Sequence, residues 1–185
     1  LNTAHEKRFL SVLPVRRDRD GATVYSRHLP CRTRREIEST MTISTLPLSY
    51  CTNVHPGQTV AEVETGLDRF TLPIKSNYGS ELAAGLWLAA PVIRELTETP
   101  DGVKRFADGL QSRGLTCYTL NAFPYGDFHS ARVKENVYLP DWTQPNRFDY
   151  TLACARTLAA LLPEGVEGSI STVPLGFKPF EHAAD

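Results

Sequence analysis

The side chains best suited to chemistry fall in three strings. Asn53 and His55 lie in CTNVHPG. Asn121, Tyr125, Asp127 and His129 lie in LNAFPYGDFHS, with Lys134 and Glu135 further on. Ser169, Ser171, Thr172 and Lys178 lie within and just after GSISTVPLGFK. Neutral imidazole serves equally as a metal ligand and as a proton carrier, so His55 and His129 are candidates for both tasks. The plain alternative is a turn histidine that caps backbone groups. Asn53 and Asn121 can hold a substrate hydroxyl, or simply end a strand in a turn. Lys134 and Lys178 can meet a phosphate or carboxylate, or stay solvated, as most lysines do. Ser171 and Thr172 precede Val173-Pro174 and can equally cap a strand end. No GxSxG elbow marks a serine nucleophile. The turn NVHPG is not a GxGxxG phosphate cradle, which lowers the nucleotide-binding reading.

These residues need elements to bring them together, and hydrophobic spacing supplies them. Residues 46–52 (LPLSYCT), 84–89 (AGLWLA), 115–121 (LTCYTLN) and 168–173 (GSISTV) read as four strands. Between them lie helices. Thr59 and Glu62 have capping-box spacing, and Val60, Val63, Leu67 and Phe70 recur at helical intervals, so a helix is expected over 59–72, with Pro73 at its end. Pro91 suits the first turn of a short helix through Leu96. Val103, Phe106 and Leu110 carry another, closed by Gly114 in a left-handed conformation. A longer helix starts after Pro145 and stops at Pro163. The order β-α-β-α-β-α-β predicts parallel strands with helical crossovers. Two closures fit: a doubly wound open sheet, or part of a (β/α) barrel. Either way chemistry gathers beyond the strands' carboxyl ends, where the named residues fall.

The loop over 122–145 is long and carries Phe123, Tyr125, Phe128, Tyr138 and Trp142. Structureless loops beyond ~12–15 residues often form lids. An aromatic lid suits an apolar or ring-bearing ligand; otherwise the rings tuck onto the rim of the sheet.

The 185 residues hold 20 Lys/Arg against 21 Asp/Glu, with 41% hydrophobic residues, the values of an ordinary globular chain. Near-neutral charge gives no reason to expect nucleic acid, and no apolar run approaches the ~20 residues of a membrane span. Cys31, Cys51, Cys117 and Cys154 show no CxxC spacing, so they read as small reduced core residues of a cytoplasmic protein. Residues 1–40 stand apart. They hold nine Lys/Arg against five Asp/Glu, a net of +4, whereas residues 41–185 carry a net of −5. Their composition predicts a basic, disordered arm. The only methionine is Met41, so residues 1–40 are also expected to be non-native upstream sequence, and 41–185 the folded unit.

Four strings, LSYCTNVHPGQTVAEV, TLNAFPYGDFHSARVKENVYLPDW, YTLACARTLAALLPEGVEG and SISTVPLGFK, resemble the EboE-type metabolite traffic proteins, which are similar to the xylose isomerase-like TIM barrels. The resemblance runs from about Met41 to Lys178. It implies that 41–185 is the front half of a (β/α)8 barrel, a partial TIM barrel of about four parallel strands with three or four helices. It implies a bacterial accessory protein of secondary-metabolite traffic that handles a small organic precursor at the barrel mouth, alongside other proteins of the same export cluster. In the related isomerases a divalent metal sits at the carboxyl face, so the resemblance also implies a metal-dependent sugar-phosphate isomerase or epimerase as the alternative, with His55 and His129 where front-half ligands would lie. An inactive fragment is the third reading. Half a barrel is expected to leave an unpaired strand at each end and an uncovered apolar inner face, inviting dimerisation through the sheet edges.

Overall fold

A computed structural model describes residues 11–17, 23–25, 47–126 and 136–175. All four expected strands form, as β3 (Leu48–Cys51), β4 (Leu82–Trp87), β5 (Thr116–Asn121) and β6 (Glu167–Thr172). They pair in parallel and in sequence order. The strand order never reverses. Crossovers of this kind are nearly always right-handed, which brings every connecting helix to one face. Among the described parallel strands there is no switch point of the kind at which doubly wound sheets bind ligands. What the structure shows is a partial α/β fold whose barrel is not closed.

Two strands come from the segment expected to be disordered, which corrects that expectation for these residues. β1 (Ser11–Arg17) pairs antiparallel with β6, Ser11 opposite Thr172 through Arg16 opposite Glu167, and β2 (Thr23–Tyr25) pairs with β1. Val15 is 1% exposed and joins the core. Valine-rich SVLPVRR has strand propensity that its arginines masked when composition alone was weighed. The edge of β6 that half a barrel would leave bare is therefore taken. Among the described residues β3 remains the outer strand at the other side.

The helices are α1 (Val60–Gly66), a π-helical segment Leu67–Thr71, α2 (Leu72–Tyr78), α3 (Ala90–Glu98), α4 (Gly102–Ser112) and α5 (Pro145–Leu161). The capping box forms as spaced: Thr59 Oγ1 accepts the Glu62 amide, and the Glu62 carboxylate accepts the Gln58 and Thr59 amides. Such a cap contributes ~1 kcal/mol. Pro73 does not end the helix, contrary to expectation. In an unbroken α-helix its ring would strike the Arg69 carbonyl and its missing N–H would orphan an acceptor. The Leu67–Thr71 segment absorbs the conflict by widening: the Leu72 amide donates to the Leu67 carbonyl, five residues back. The helix then runs on to Gly79, which closes it at φ 71. Gly114 closes α4 in the same left-handed region, as its position in the sequence predicts. No described helix is long and apolar enough to cross a membrane.

The core lies between the sheet and the helices. Leu86, Leu120 and Ile170 form one row across β4, β5 and β6, packed under Tyr150, Cys154, Ala155 and Leu158 of α5. Each buried aliphatic side chain there contributes ~1.5–3 kcal/mol. β5 carries one extra residue, since Ala83 opposes Thr116 but Gly85 opposes Thr119. That bulge lets both Cys117 and Leu120 enter the core while Thr119 and Asn121 stay partly exposed.

Candidate functional site

On the second face of the sheet the β3, β5 and β6 positions are polar: Ser49, Cys51, Thr119, Asn121, Ser169 and Ser171 are all partly or well exposed. The β4 positions in register with them, Ala83, Gly85 and Trp87, are buried. The expected apolar inner face is thus apolar along β4 alone. Near the carboxyl ends the polar side chains form a chain of hydrogen bonds. Ser171 Oγ donates to Asn121 Oδ1 at 2.9 Å, Asn121 Nδ2 donates to Cys51 Sγ at 3.2 Å, and the Cys51 thiol donates to Asn53 Oδ1 at 2.6 Å. One row back, Ser169 Oγ meets Thr119 Oγ1 at 3.3 Å.

Cys51 and Asn121 belong to β3 and β5, with β4 between them. Cys51 opposes Gly85 and Gly85 opposes Thr119, so the Asn121–Cys51 bond reaches across β4 and two residues along it. Gly85 of β4 makes room: a Cβ there would sit 3.0 Å from Ser49 Oγ and 3.3 Å from Thr119 Cγ2. Asn121 is the hub. Its two Nδ2 hydrogens exceed the one bond that this atom makes among the described residues, where Ser171 and Asn53 also keep lone pairs. What the arrangement offers is a set of neutral donors and acceptors at the strands' carboxyl ends, suited to a hydroxylated ligand.

The structure divides the expected site residues. It brings Asn53, Asn121 and Ser171 together. It places His55 elsewhere: its Nε2 lies 2.8 Å from the Tyr50 hydroxyl, and its ring stacks on Phe70 at 4.0 Å and 8°. His55 there lines a cavity of about 20 Å3, room for about one water, with Thr52, Val63, Leu67 and Trp87. Thr172 is 1% exposed on the core side, and its hydroxyl has no partner among the described residues. It does not belong to the polar face, because it is one residue out of step with Ser171. His129, Lys134 and Lys178 lie outside the described residues. Among those described, no three His, Cys, Asp or Glu side chains gather where they could hold a metal ion; the pairing of His55 with His129 is outside that test.

Tyr125 belongs to a third group. Its ring meets Tyr150 edge-on at 5.0 Å, and Arg147 lies 5.6 and 5.7 Å from the two ring centres. Arg147 is fully buried. Its Nε donates to the Pro140 carbonyl at 2.6 Å, and its other two nitrogens donate to the carbonyls of Ala122 and Phe123. One side chain thus ties the outgoing stem of the β5–α5 loop to its return. Burial pulls the Arg147 pKa down and pushes that of Tyr150 well up. Trp142 is also tied down, donating to the Val173 carbonyl at 3.0 Å. Tyr125 and Trp142 are therefore docked rings, in keeping with the tucked alternative to a lid.

Cysteine usage splits too. Cys117 and Cys154 are buried as expected, and burial pushes both thiols up to about 12. Cys51 is exposed, against expectation. Its signal was present in the sequence: Cys51 sits two residues after Ser49 and so shares its face. Comparison with known protein families, with characterised proteins and with solved structures finds no match.

Proposed function

We propose that this protein binds a small, neutral, hydroxylated organic molecule on the polar side of its sheet, at the strands' carboxyl ends, through Asn121, Ser171, Asn53 and Cys51. The observation that carries the reading is the continuous Ser171–Asn121–Cys51–Asn53 chain at the strands' carboxyl ends. A sheet face left uncovered by helices and wholly apolar would favour a protein partner; hydroxyls and amides gathered at the strand ends favour a polyol.

The role follows the resemblance: an accessory protein of secondary-metabolite traffic that holds a precursor at the mouth of a xylose isomerase-like half barrel. Four parallel strands in sequence order support the barrel reading. A fifth parallel strand would need the edge that β1 now occupies, so a closed barrel and this pairing exclude one another.

Cys51 makes the proposal testable without knowing the metabolite. Iodoacetamide should alkylate Cys51 in the folded protein and leave Cys117 and Cys154 untouched. A neutral polyol panel, myo-inositol and the common pentoses, should include members that slow that alkylation. Asn121→Ala and Ser171→Ala should remove the protection. Alkylation of Cys51 at the same rate with every polyol would end the proposal.

A further inference from the structure

Three grooves of similar size lie on the helix-covered side. The first, about 250 Å3, runs between α1, α3 and α4. There Glu95 accepts the Val60 amide and Arg105 donates to the Pro100 carbonyl, while Glu64 also lines it. The second, about 280 Å3, lies at the amino end of β5, and its Asp108 is paired with Lys104. The third, about 290 Å3, runs between α3 and α5. It differs in its aromatic floor, the Tyr125–Tyr150 pair. Arg94 of α3 and Asp149 of α5 both line it, yet neither forms an ion pair with a described residue.

We infer that this third groove is a binding site for a small zwitterion, an α-amino acid with an aliphatic or aromatic side chain. Two opposite charges face one cleft and do not close across it. A ligand that carries both complementary charges satisfies both, whereas a simple anion meets Asp149 and a simple cation meets Arg94. Asn146 adds an amide at the rim. The walls are apolar, from Ala90, Ile93 and Ala153, and the floor is the Tyr125–Tyr150 pair. The floor is rigid, since the Tyr150 hydroxyl donates to the Leu88 carbonyl at 2.7 Å and the Tyr125 carbonyl accepts the Ala90 amide at 2.8 Å. The volume sits at the lower end of ligand pockets, which begin at roughly 300 Å3. Against both rings lies the buried Arg147 cation. This site is separate from the polar sheet face and does not depend on the reading given for it.

Calorimetric titration of the full chain tests the inference with three probes: L-leucine, 4-methylpentanoate, which lacks the ammonium group, and 3-methylbutylamine, which lacks the carboxylate. Leucine should bind saturably, and each half-ligand about tenfold or more weakly, the worth of one charged hydrogen bond. Arg94→Gln should weaken leucine and 4-methylpentanoate and leave the amine unchanged; Asp149→Asn should weaken leucine and the amine and leave 4-methylpentanoate unchanged. Both substitutions are at exposed helix positions. Prior alkylation of Cys51 should change none of these values. Absence of saturable leucine binding at millimolar concentration overturns the inference. So does a loss that ignores which charge was removed, or one produced by alkylating Cys51, which would move the ligand to the sheet face.

Discussion

Arg147→Met removes a guanidinium and keeps an unbranched chain of similar reach. Three carbonyl oxygens, those of Ala122, Phe123 and Pro140, lose their donor. A buried polar group left unpaired costs ~1–3 kcal/mol, so the gross loss is roughly 3–9 kcal/mol. The two ring contacts add about 0.5–2 kcal/mol each. Against this stands relief from burying a cation with which no described carboxylate forms an ion pair, worth several kcal/mol. The balance is a destabilisation of about 3 kcal/mol. With a urea slope of about 2 kcal/mol/M, the unfolding midpoint should fall by about 1.5 M. Arg147→Lys keeps the charge but cannot span three carbonyls with a fork, so it should fall between. Tryptophan emission is the probe of choice, since Trp87 donates to the Pro124 carbonyl and Trp142 to that of Val173, one on each side of the tied loop. If the Met variant unfolds at the wild-type midpoint, within the error of extrapolation, the three carbonyls do not depend on Arg147 and the loop-tie account is wrong.

Two further outcomes follow from the packing. Asp68 accepts two hydrogen bonds from Arg113, at 2.6 and 2.8 Å, and these hold its carboxyl below the ordinary value. A depressed folded pKa stabilises only the ionised form, so the contribution is full at neutral pH and fades as pH falls below about 4. Because Asp68 is half exposed, Asp68→Asn should cost a few tenths to ~1 kcal/mol at pH 7 and nothing in strong acid; an equal loss in thermal melts at both pH values would contradict the pairing. Val15→Asp places a charge in the core and should detach β1, with a loss of ~3 kcal/mol or more. Hydrogen exchange at the β6 amides should rise with it, and unchanged exchange there would show that β1 does not protect β6.

Much of the scaffold was legible from residue spacing. The four parallel strands and their crossover helices follow from hydrophobic runs with turn residues between them, and the Thr59 cap and the Gly114 stop from local chemistry that tertiary contacts do not overrule. Pro73 misled because a proline bars the α-helical register and not the wider π register, a choice settled by packing beyond the helix. β1 was missed for a different reason. Its worth lies in pairing with β6, and a pairing so distant in sequence leaves no periodicity to read. Of the candidate residues, Asn53, Asn121 and Ser171 come together because strand ends are predictable. Thr172 is turned to the core, one residue out of phase with Ser171, and His55 is carried by the 3-10 turn Thr52–Val54 onto Tyr50 and Phe70. Cys51 was discounted by a residue-type average, and Arg147 passed unremarked because only the fold reveals three carbonyls around it.

The partnership of β1 with β6 also sets an order of events. Ser11 and Thr172 are about 160 positions apart, and nearly the whole described chain lies between them. β1 leaves the ribosome long before β6 exists, so it must wait, with only β2 to pair with, while the intervening β/α units assemble. Closing so long a loop is entropically slow to reward. Completion of this sheet is thus a late step of maturation, and until it occurs both strands present bare backbone to any neighbouring chain.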